Sequence, residues 1–114
     1  MKRKRGTQVA HAYHLYAVRL DEAVLERKAF RDRNPGHVPG KPCYYVGSSI
    51  YPPEVRFAKH KAGVKASRWV REFGLHVAVR KCREVRLAGP DQPARAEREY
   101  AERLRAKGYG IWQN

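Results

Sequence analysis

Acidic residues are scarce in this sequence. Only 11 Asp and Glu stand against 25 Lys and Arg, which leaves a formal net charge of +14 at pH 7. A small domain that carries so much like charge repels itself, and the usual compensation is a polyanionic partner. The composition therefore favours a polyanionic partner such as DNA or RNA.

Long apolar runs and cysteine clusters are also missing. No apolar run approaches the length of a transmembrane helix, and no segment joins a long apolar face to a basic one, so a membrane partner is not expected. Cys43 and Cys82 have no CxxC or Cys/His metal spacing, which predicts two buried thiols in a reducing compartment. The basic residues 1–5 are followed by polar residues instead of an apolar signal core. These features favour a cytoplasmic location, associated with the nucleoid if the protein is bacterial.

The length of 114 residues suits one domain with a modest core. We predict a basic tail at 1–11 and a single domain at 12–114, with an insertion at about 21–42. The expected fold is mixed α/β of the α+β type, with a small, mainly antiparallel sheet of about three strands flanked by helices. A doubly wound parallel sheet is excluded because too little chain joins the neighbouring strands.

Apolar alternation and end signals predict the individual elements. Strands are expected where apolar side chains alternate: at 12–20, at 43–46 before Gly47, at 75–79 and 85–87 as one strand or a pair, and at 109–112. Helices are expected between a capping or proline start and a glycine end: at 53–62 before Gly63, between Ser67 and Gly74, and, most strongly, at 94–107 before Gly108. Residues 88–93 are predicted to be a turn.

Tyrosine, glycine, arginine and histidine follow one another in an order that is uncommon by chance. Tyr16 lies on the first predicted strand, and Tyr45 and Gly47 form a Tyr-x-Gly at the end of the second. Arg56 and His60 follow four residues apart, so one helical face presents both to the same phosphate. Taken singly, each residue has an ordinary structural interpretation. The ordered set resembles the signature of the GIY-YIG endonuclease family, and the resemblance extends from the first predicted strand to the last.

This resemblance implies a metal-dependent endonuclease that hydrolyses phosphodiester bonds in DNA. In that chemistry Tyr45 or Tyr16, or else His60, activates the water. Arg56 stabilises the phosphate, because a guanidinium forks onto two phosphate oxygens. A glutamate on the last long helix holds Mg²⁺ or Mn²⁺.

Three glutamates share that last helix, so the metal ligand must be chosen among them. In the family the glutamate lies at the edge of the apolar face, with apolar residues three or four positions later. Glu97 precedes Tyr100 and Ala101 at this spacing, whereas two charged residues follow Glu99 and direct it to solvent. Glu97 is the predicted metal ligand and Glu99 the alternative.

Further residues near the predicted site are expected to bind the phosphate backbone of the substrate without sequence specificity. They are Gly47, Lys59, Lys61, Lys65, Ser67 and Arg68. A second hypothesis stays open, in which the protein is a non-catalytic basic DNA- or RNA-binding module on a degenerate nuclease fold. It is motivated by the first half-motif, which reads His14-Leu15-Tyr16 where the family has Gly-Ile-Tyr.

The insertion at 21–42 separates two strands that the family joins by a tight hairpin. Its five cations and four acids nearly cancel, so it is a poor candidate for the main phosphate contact. We predict a surface excursion, partly helical near 22–30, that leaves Tyr16 and Tyr45 on neighbouring strands. Because loop length changes closure entropy only slowly, shortening it is expected to preserve folding and most cleavage.

Overall fold

A long first strand, β1 (His11–Leu20), organises the sheet by pairing along both of its edges. On one edge it pairs antiparallel with β2 (Cys43–Ser49). On the other edge two short strands follow one another, both antiparallel to β1. β3 (Gly74–Val77) lies beside its second half and β4 (Arg83–Leu87) beside its first half.

A parallel strand, β5 (Gly110–Gln113), completes the sheet along the outer edge of β2. The structure, a computed structural model, describes residues 11–87 and 92–113, and within them the sheet has five strands. The predicted α+β class is confirmed, but the prediction of about three strands is wrong. β1 is 10 residues long, so its free edge accommodates both β3 and β4.

Four α-helices flank the sheet within the described residues. They are α1 (Lys28–Arg33), α2 (Pro53–Lys61), α3 (Arg68–Phe73) and α4 (Gln92–Ala106). The predicted ends of α2 and α3 are confirmed: α2 begins at its prolines, and the Ser67 hydroxyl caps α3 by accepting from the amide of Trp69. α4 begins at Gln92, inside the predicted turn, and the rest of that turn lies outside the described residues. The predicted basic tail also lies outside them, except for His11, which begins β1.

Alternating side chains give the sheet two buried faces. Tyr16, Val18 and Tyr45 lie on one face, against α3 and the insertion. Leu15 and Tyr44 lie on the other face, against α4. Tyr44 and Tyr45, which are adjacent in β2, therefore point to opposite faces of the sheet. Both cysteines are free; Cys43 is buried, and Cys82 is only half-buried, contrary to the prediction for it.

The insertion keeps β1 and β2 paired, but it is not a dispensable surface excursion. It forms a short 3-10 helix (Glu22–Glu26) followed by α1, so the expected helix at 22–30 is interrupted at Arg27. Val24 and Phe30 are fully buried in the core, and Asn34 is buried as well. The prediction of a surface excursion is therefore wrong, because net charge says nothing about how much apolar surface a segment buries. Shortening the insertion would remove these core residues, so we expect it to destabilise the fold.

We predict that Phe30→Ala lowers the free energy of unfolding by about 3–5 kcal/mol, because it empties a buried aromatic site. Chemical denaturation measures the change. Glu26→Ala, an exposed position in the same insertion, is the matched control and is expected to stay within about 0.5 kcal/mol of the parent. A Phe30→Ala protein as stable as the Glu26→Ala protein would show that the insertion does not belong to the core.

Candidate active site

The pairing of β1 with β2 brings two predicted tyrosines together. Tyr16 lies opposite Gly47 and Val18 opposite Tyr45, so both tyrosines point to the same face in diagonal positions. Their ring centroids are 6.1 Å apart, and both side chains are buried. Gly47 is required by this contact: a Cβ at residue 47 would lie 2.5 Å from the Tyr16 hydroxyl oxygen. The glycine of the Tyr-x-Gly motif thus makes room for the tyrosine of the other strand.

His60 reaches this pair from α2 and is 1% exposed. Its Nε2 lies 2.9 Å from the Tyr16 hydroxyl, and its Nδ1 accepts a 2.9 Å hydrogen bond from the backbone N–H of Ser67. An amide N–H can only donate, so Nδ1 is the acceptor and the proton of the neutral ring sits on Nε2. Nε2 then donates to Tyr16. Burial, with a smaller contribution from the Arg56 charge, lowers the pKa of His60 to about 4, so the ring is neutral near pH 7.

A hydrogen-bonded chain continues from Tyr16 to Tyr45. Burial raises the pKa of both phenols above the ordinary value. For Tyr45 the nearby Glu97 charge adds to the rise, while hydrogen bonds from Tyr16 and Ser67 oppose it. The same bond has the opposite effect on Tyr16, because it raises the pKa of Tyr16 further. The hydrogen bond between the two tyrosines therefore favours the deprotonated form of Tyr45 over that of Tyr16.

Arg56 is fixed beside these groups by the loop that follows α2. Its Nη1 donates to the carbonyl of Val64 at 3.3 Å and its Nη2 to the carbonyl of Lys65 at 2.7 Å. These two bonds occupy two of the five N–H donors of a guanidinium. The Arg56 charge lowers the pKa of Tyr16, Tyr45 and His60, which places it electrostatically within the same cluster.

Glu97 approaches from α4, at the end of β2. One carboxylate oxygen accepts a hydrogen bond from the Ser48 hydroxyl at 2.8 Å, and the other accepts from the Gln113 side-chain amide at 2.9 Å. Its charge raises the pKa of both tyrosines, so it too belongs to the cluster. Glu99 is exposed, on another side of the helix. The geometry thus favours Glu97 over Glu99.

The donor set around Glu97 fits a hydrated magnesium or manganese ion. Each carboxylate oxygen has a second lone pair beyond the one it uses here, and the Ser48 hydroxyl supplies another hard oxygen. Among the described residues no group of three His, Cys, Asp or Glu side chains forms a metal cage. Mg²⁺ does not require one, since it usually keeps several waters and uses one or two carboxylates together with substrate phosphates.

The cations that were predicted to contact substrate differ in what they contact in the structure: some contact other side chains, and another binds backbone carbonyls. Lys59 lies over the Tyr51 ring at 4.8 Å, and the exposed Arg68 is 3.8 Å from Glu72. Lys61 instead donates to the carbonyls of Arg71 and Gly74 at 3.2 and 3.1 Å, so its ammonium caps the C-terminal end of α3.

Lys65 and Ser67 also have structural contacts that the sequence did not indicate. Lys65 has a positive φ of 44° and its carbonyl holds Arg56. Ser67 is buried and orders the cluster, because its backbone binds His60 and its hydroxyl binds Tyr45. Ser67 is therefore placed to position His60 and Tyr45, and the expectation that it contacts substrate has no support in its geometry.

Sequence reasoning missed the two residues that hold Glu97. Ser48 directly follows the Tyr-x-Gly motif, which was an available signal, since a residue at the end of a motif strand lies near the site. Gln113 comes from β5, and its placement depends on the parallel pairing of β5 with β2. No local sequence pattern reveals that pairing.

No protein-family model matches the chain, and neither the curated proteins nor the solved structures contain a significant match. The likeness to the GIY-YIG family therefore depends on the motif residues alone. In the described residues, no helix is long and apolar enough to cross a bilayer.

We predict that Gly47→Ala breaks the bond between Tyr16 and His60, because the added Cβ would lie 2.6 Å from Tyr16 Cζ. The expected observation is a changed His60 Nε2 resonance in nitrogen NMR spectra of the imidazole. Gly36→Ala is the control, since a Cβ at residue 36 meets nothing within 4 Å. An unchanged His60 resonance in the Gly47→Ala protein would contradict the proposed packing.

The lowered pKa of His60 predicts a pH-dependent stability. The unfolded chain binds this proton near pH 6.5 and the folded chain near pH 4, so stability is lost as pH falls from about 6.5 to 4 and is flat above that range. The loss from this one group is about 3 kcal/mol. His60→Gln, which keeps an N–H donor, is expected to flatten the curve; His76→Gln, at an exposed histidine, is the comparison variant. Denaturation at several pH values tests this, and a wild-type curve as flat as that of His60→Gln would refute it.

Proposed function

We propose that this protein is a metal-dependent endonuclease that hydrolyses phosphodiester bonds in DNA. The observation that carries the proposal is the convergence of Tyr16, Tyr45, Arg56, His60 and Glu97, from four separate elements, on one cluster. Each of these types has a role in phosphodiester hydrolysis, and the net charge of +14 suits a polyanionic substrate.

Tyr45 is the proposed general base. Hydrogen bonds from Tyr16 and Ser67 stabilise its phenolate. His60 is less suited to this role, because one ring nitrogen accepts from Ser67 and the other donates to Tyr16. Tyr45 first releases its phenolic proton to solvent, against its raised pKa. The attacking water then transfers its proton to the phenolate as its oxygen bonds to phosphorus. The bond from phosphorus to the leaving oxygen breaks, and that oxygen takes a proton from solvent.

Arg56 and Glu97 supply the charges for this reaction. Arg56 is held by two backbone carbonyls, so its guanidinium needs little reorganisation to bind the phosphate whose charge grows in the transition state. Glu97, with Ser48 and Gln113, is the proposed holder of Mg²⁺ or Mn²⁺. When bound, such an ion supplies positive charge that stabilises the leaving oxygen.

A second candidate function is a non-catalytic DNA- or RNA-binding module. One observation favours it: burial raises the pKa of both tyrosines and lowers that of His60 to about 4, so none of these three groups titrates near neutral pH in the ligand-free protein. Such a module would bind through its cations, and its affinity would fall steeply with salt.

Nicking of a supercoiled plasmid tests the nuclease proposal. With Mg²⁺ or Mn²⁺ the wild-type protein is expected to nick, and EDTA is expected to stop the reaction. Glu97→Gln and Arg56→Ala are each expected to lower the rate by about 10²–10³-fold, the range for loss of one preorganised charged group. Glu99→Gln is the matched control, since it removes the same charge from the same helix, and it is expected to keep nearly the full rate.

Two outcomes would contradict the proposal. If Glu97→Gln nicks as fast as Glu99→Gln, the cluster is not the site of cleavage. If the wild-type protein fails to nick with every divalent metal ion tried, yet it and Glu97→Gln bind DNA equally, the binding module is the better description.

A further inference from the structure

A second aromatic cluster lies beside the candidate active site, on the same face of the sheet. The indole rings of Trp69 and Trp112 stack with centroids 4.2 Å apart and an interplanar angle of 29°. Trp112 is the register partner of Tyr45 on the neighbouring strand, and Trp69 lies two residues after Ser67, which binds Tyr45. Both indoles are only half-buried. The two tryptophans thus border the proposed catalytic cluster.

A cleft of about 360 Å³ opens along these indoles and is rimmed by cations. We call it the aromatic cleft; its lining residues are Arg27, Lys28, Ala29, Arg68, Trp69 and Trp112. The cations at its rim form exposed ion pairs: Arg27 and Arg68 are 3.5 and 3.8 Å from Glu72, and Lys28 is 2.8 Å from Asp32. Exposed pairs of this kind contribute little to stability, so phosphate can replace the carboxylates at small cost.

Planar groups from the insertion also pack around Trp112. The Arg33 guanidinium lies 4.1 Å above the Trp112 ring, and the Phe30 ring is nearly parallel to it, at 18° and 6.5 Å. Phe30 and Arg33 belong to α1, in the insertion between β1 and β2. The insertion therefore builds part of the aromatic cleft and brings cations to its rim.

We propose that the aromatic cleft binds one unpaired nucleobase of the DNA substrate, so that the protein prefers sites where a strand leaves the duplex. This inference depends on the proposed function, since it names the substrate class of that same site. Stacking on aromatic side chains suits any base, because every base has a π-face, and rim cations bind the adjoining backbone. A paired base keeps its faces stacked inside the duplex and cannot enter such a cleft.

Tryptophan fluorescence gives a direct test, because the chain has 2 tryptophans and both line the aromatic cleft. Three DNAs are compared at low salt in EDTA, so that no cleavage occurs. They are a blunt hairpin, the same hairpin with a short single-stranded extension, and that extended hairpin with abasic residues in the extension. The last two carry the same number of phosphates and differ only in bases.

The expected result is that the base-bearing extension quenches the emission and binds about tenfold more tightly than the abasic one. Equal affinity with unchanged emission would overturn the inference and leave the nuclease proposal standing. Failure of all three DNAs to bind would overturn both. The wild-type comparison is decisive without any variant.

Two variants separate stacking from simple packing. Trp69→Leu is expected to lose the preference for bases while keeping the affinity for the abasic DNA, and Trp69→Phe is expected to retain much of the preference. Trp112 remains as the fluorescent reporter in both. A Trp69→Leu protein that still prefers the base-bearing extension tenfold would overturn the role of the indole.

Discussion

The buried imidazole of His60 is the interaction on which the candidate site depends. It joins three elements at once, because it belongs to α2, accepts from the amide of Ser67 at the start of α3, and donates to Tyr16 on β1. A polar ring that is 1% exposed needs both partners, since a buried polar group left without one costs about 1–3 kcal/mol. The same two bonds fix its tautomer. The same contacts therefore pack the ring and determine which of its nitrogens carries the proton. Gly47 is necessary for them, because it leaves space for the Tyr16 hydroxyl.

Two opposite charges act on the tyrosine pair. After burial, which dominates, Glu97 raises the pKa of Tyr45, and Arg56 lowers it. Glu97 and Arg56 reach the pair from different elements, α4 and α2, so their effects can change independently. Neutralising the Glu97 charge removes an influence that opposes the phenolate. In the proposed enzyme, the Glu97 carboxylate therefore also couples cation binding to the ionisation of Tyr45.

The sequence predicted what depends on local pattern and missed what depends on long-range pairing. Alternation along β1, the prolines before α2 and the Ser67 cap were sufficient for those elements, and the apolar spacing after Glu97 distinguished it from Glu99, since Tyr100 is buried. The strand segments were located by their alternation, but their union in one five-stranded sheet and the parallel position of β5 could not be predicted, because pairing partners leave no local sequence pattern. The contacts of Lys61 were missed for the same reason: a lysine on a basic helix looks solvated until the end of the next helix is placed beside it.

The insertion shows how a long connection can join two paired strands without loosening them. Closure entropy grows slowly with length, so the added chain costs little as long as it packs. Its packing depends on one polar side chain: the Asn34 amide donates to the carbonyls of Phe30 and Ile111, and its oxygen accepts from the Ile111 amide and from Arg105. These bonds tie α1 to β5 and α4, and they keep Phe30 against Trp112. The segment that separates the two motif tyrosines in sequence is therefore also the one that supports the aromatic cleft beside them.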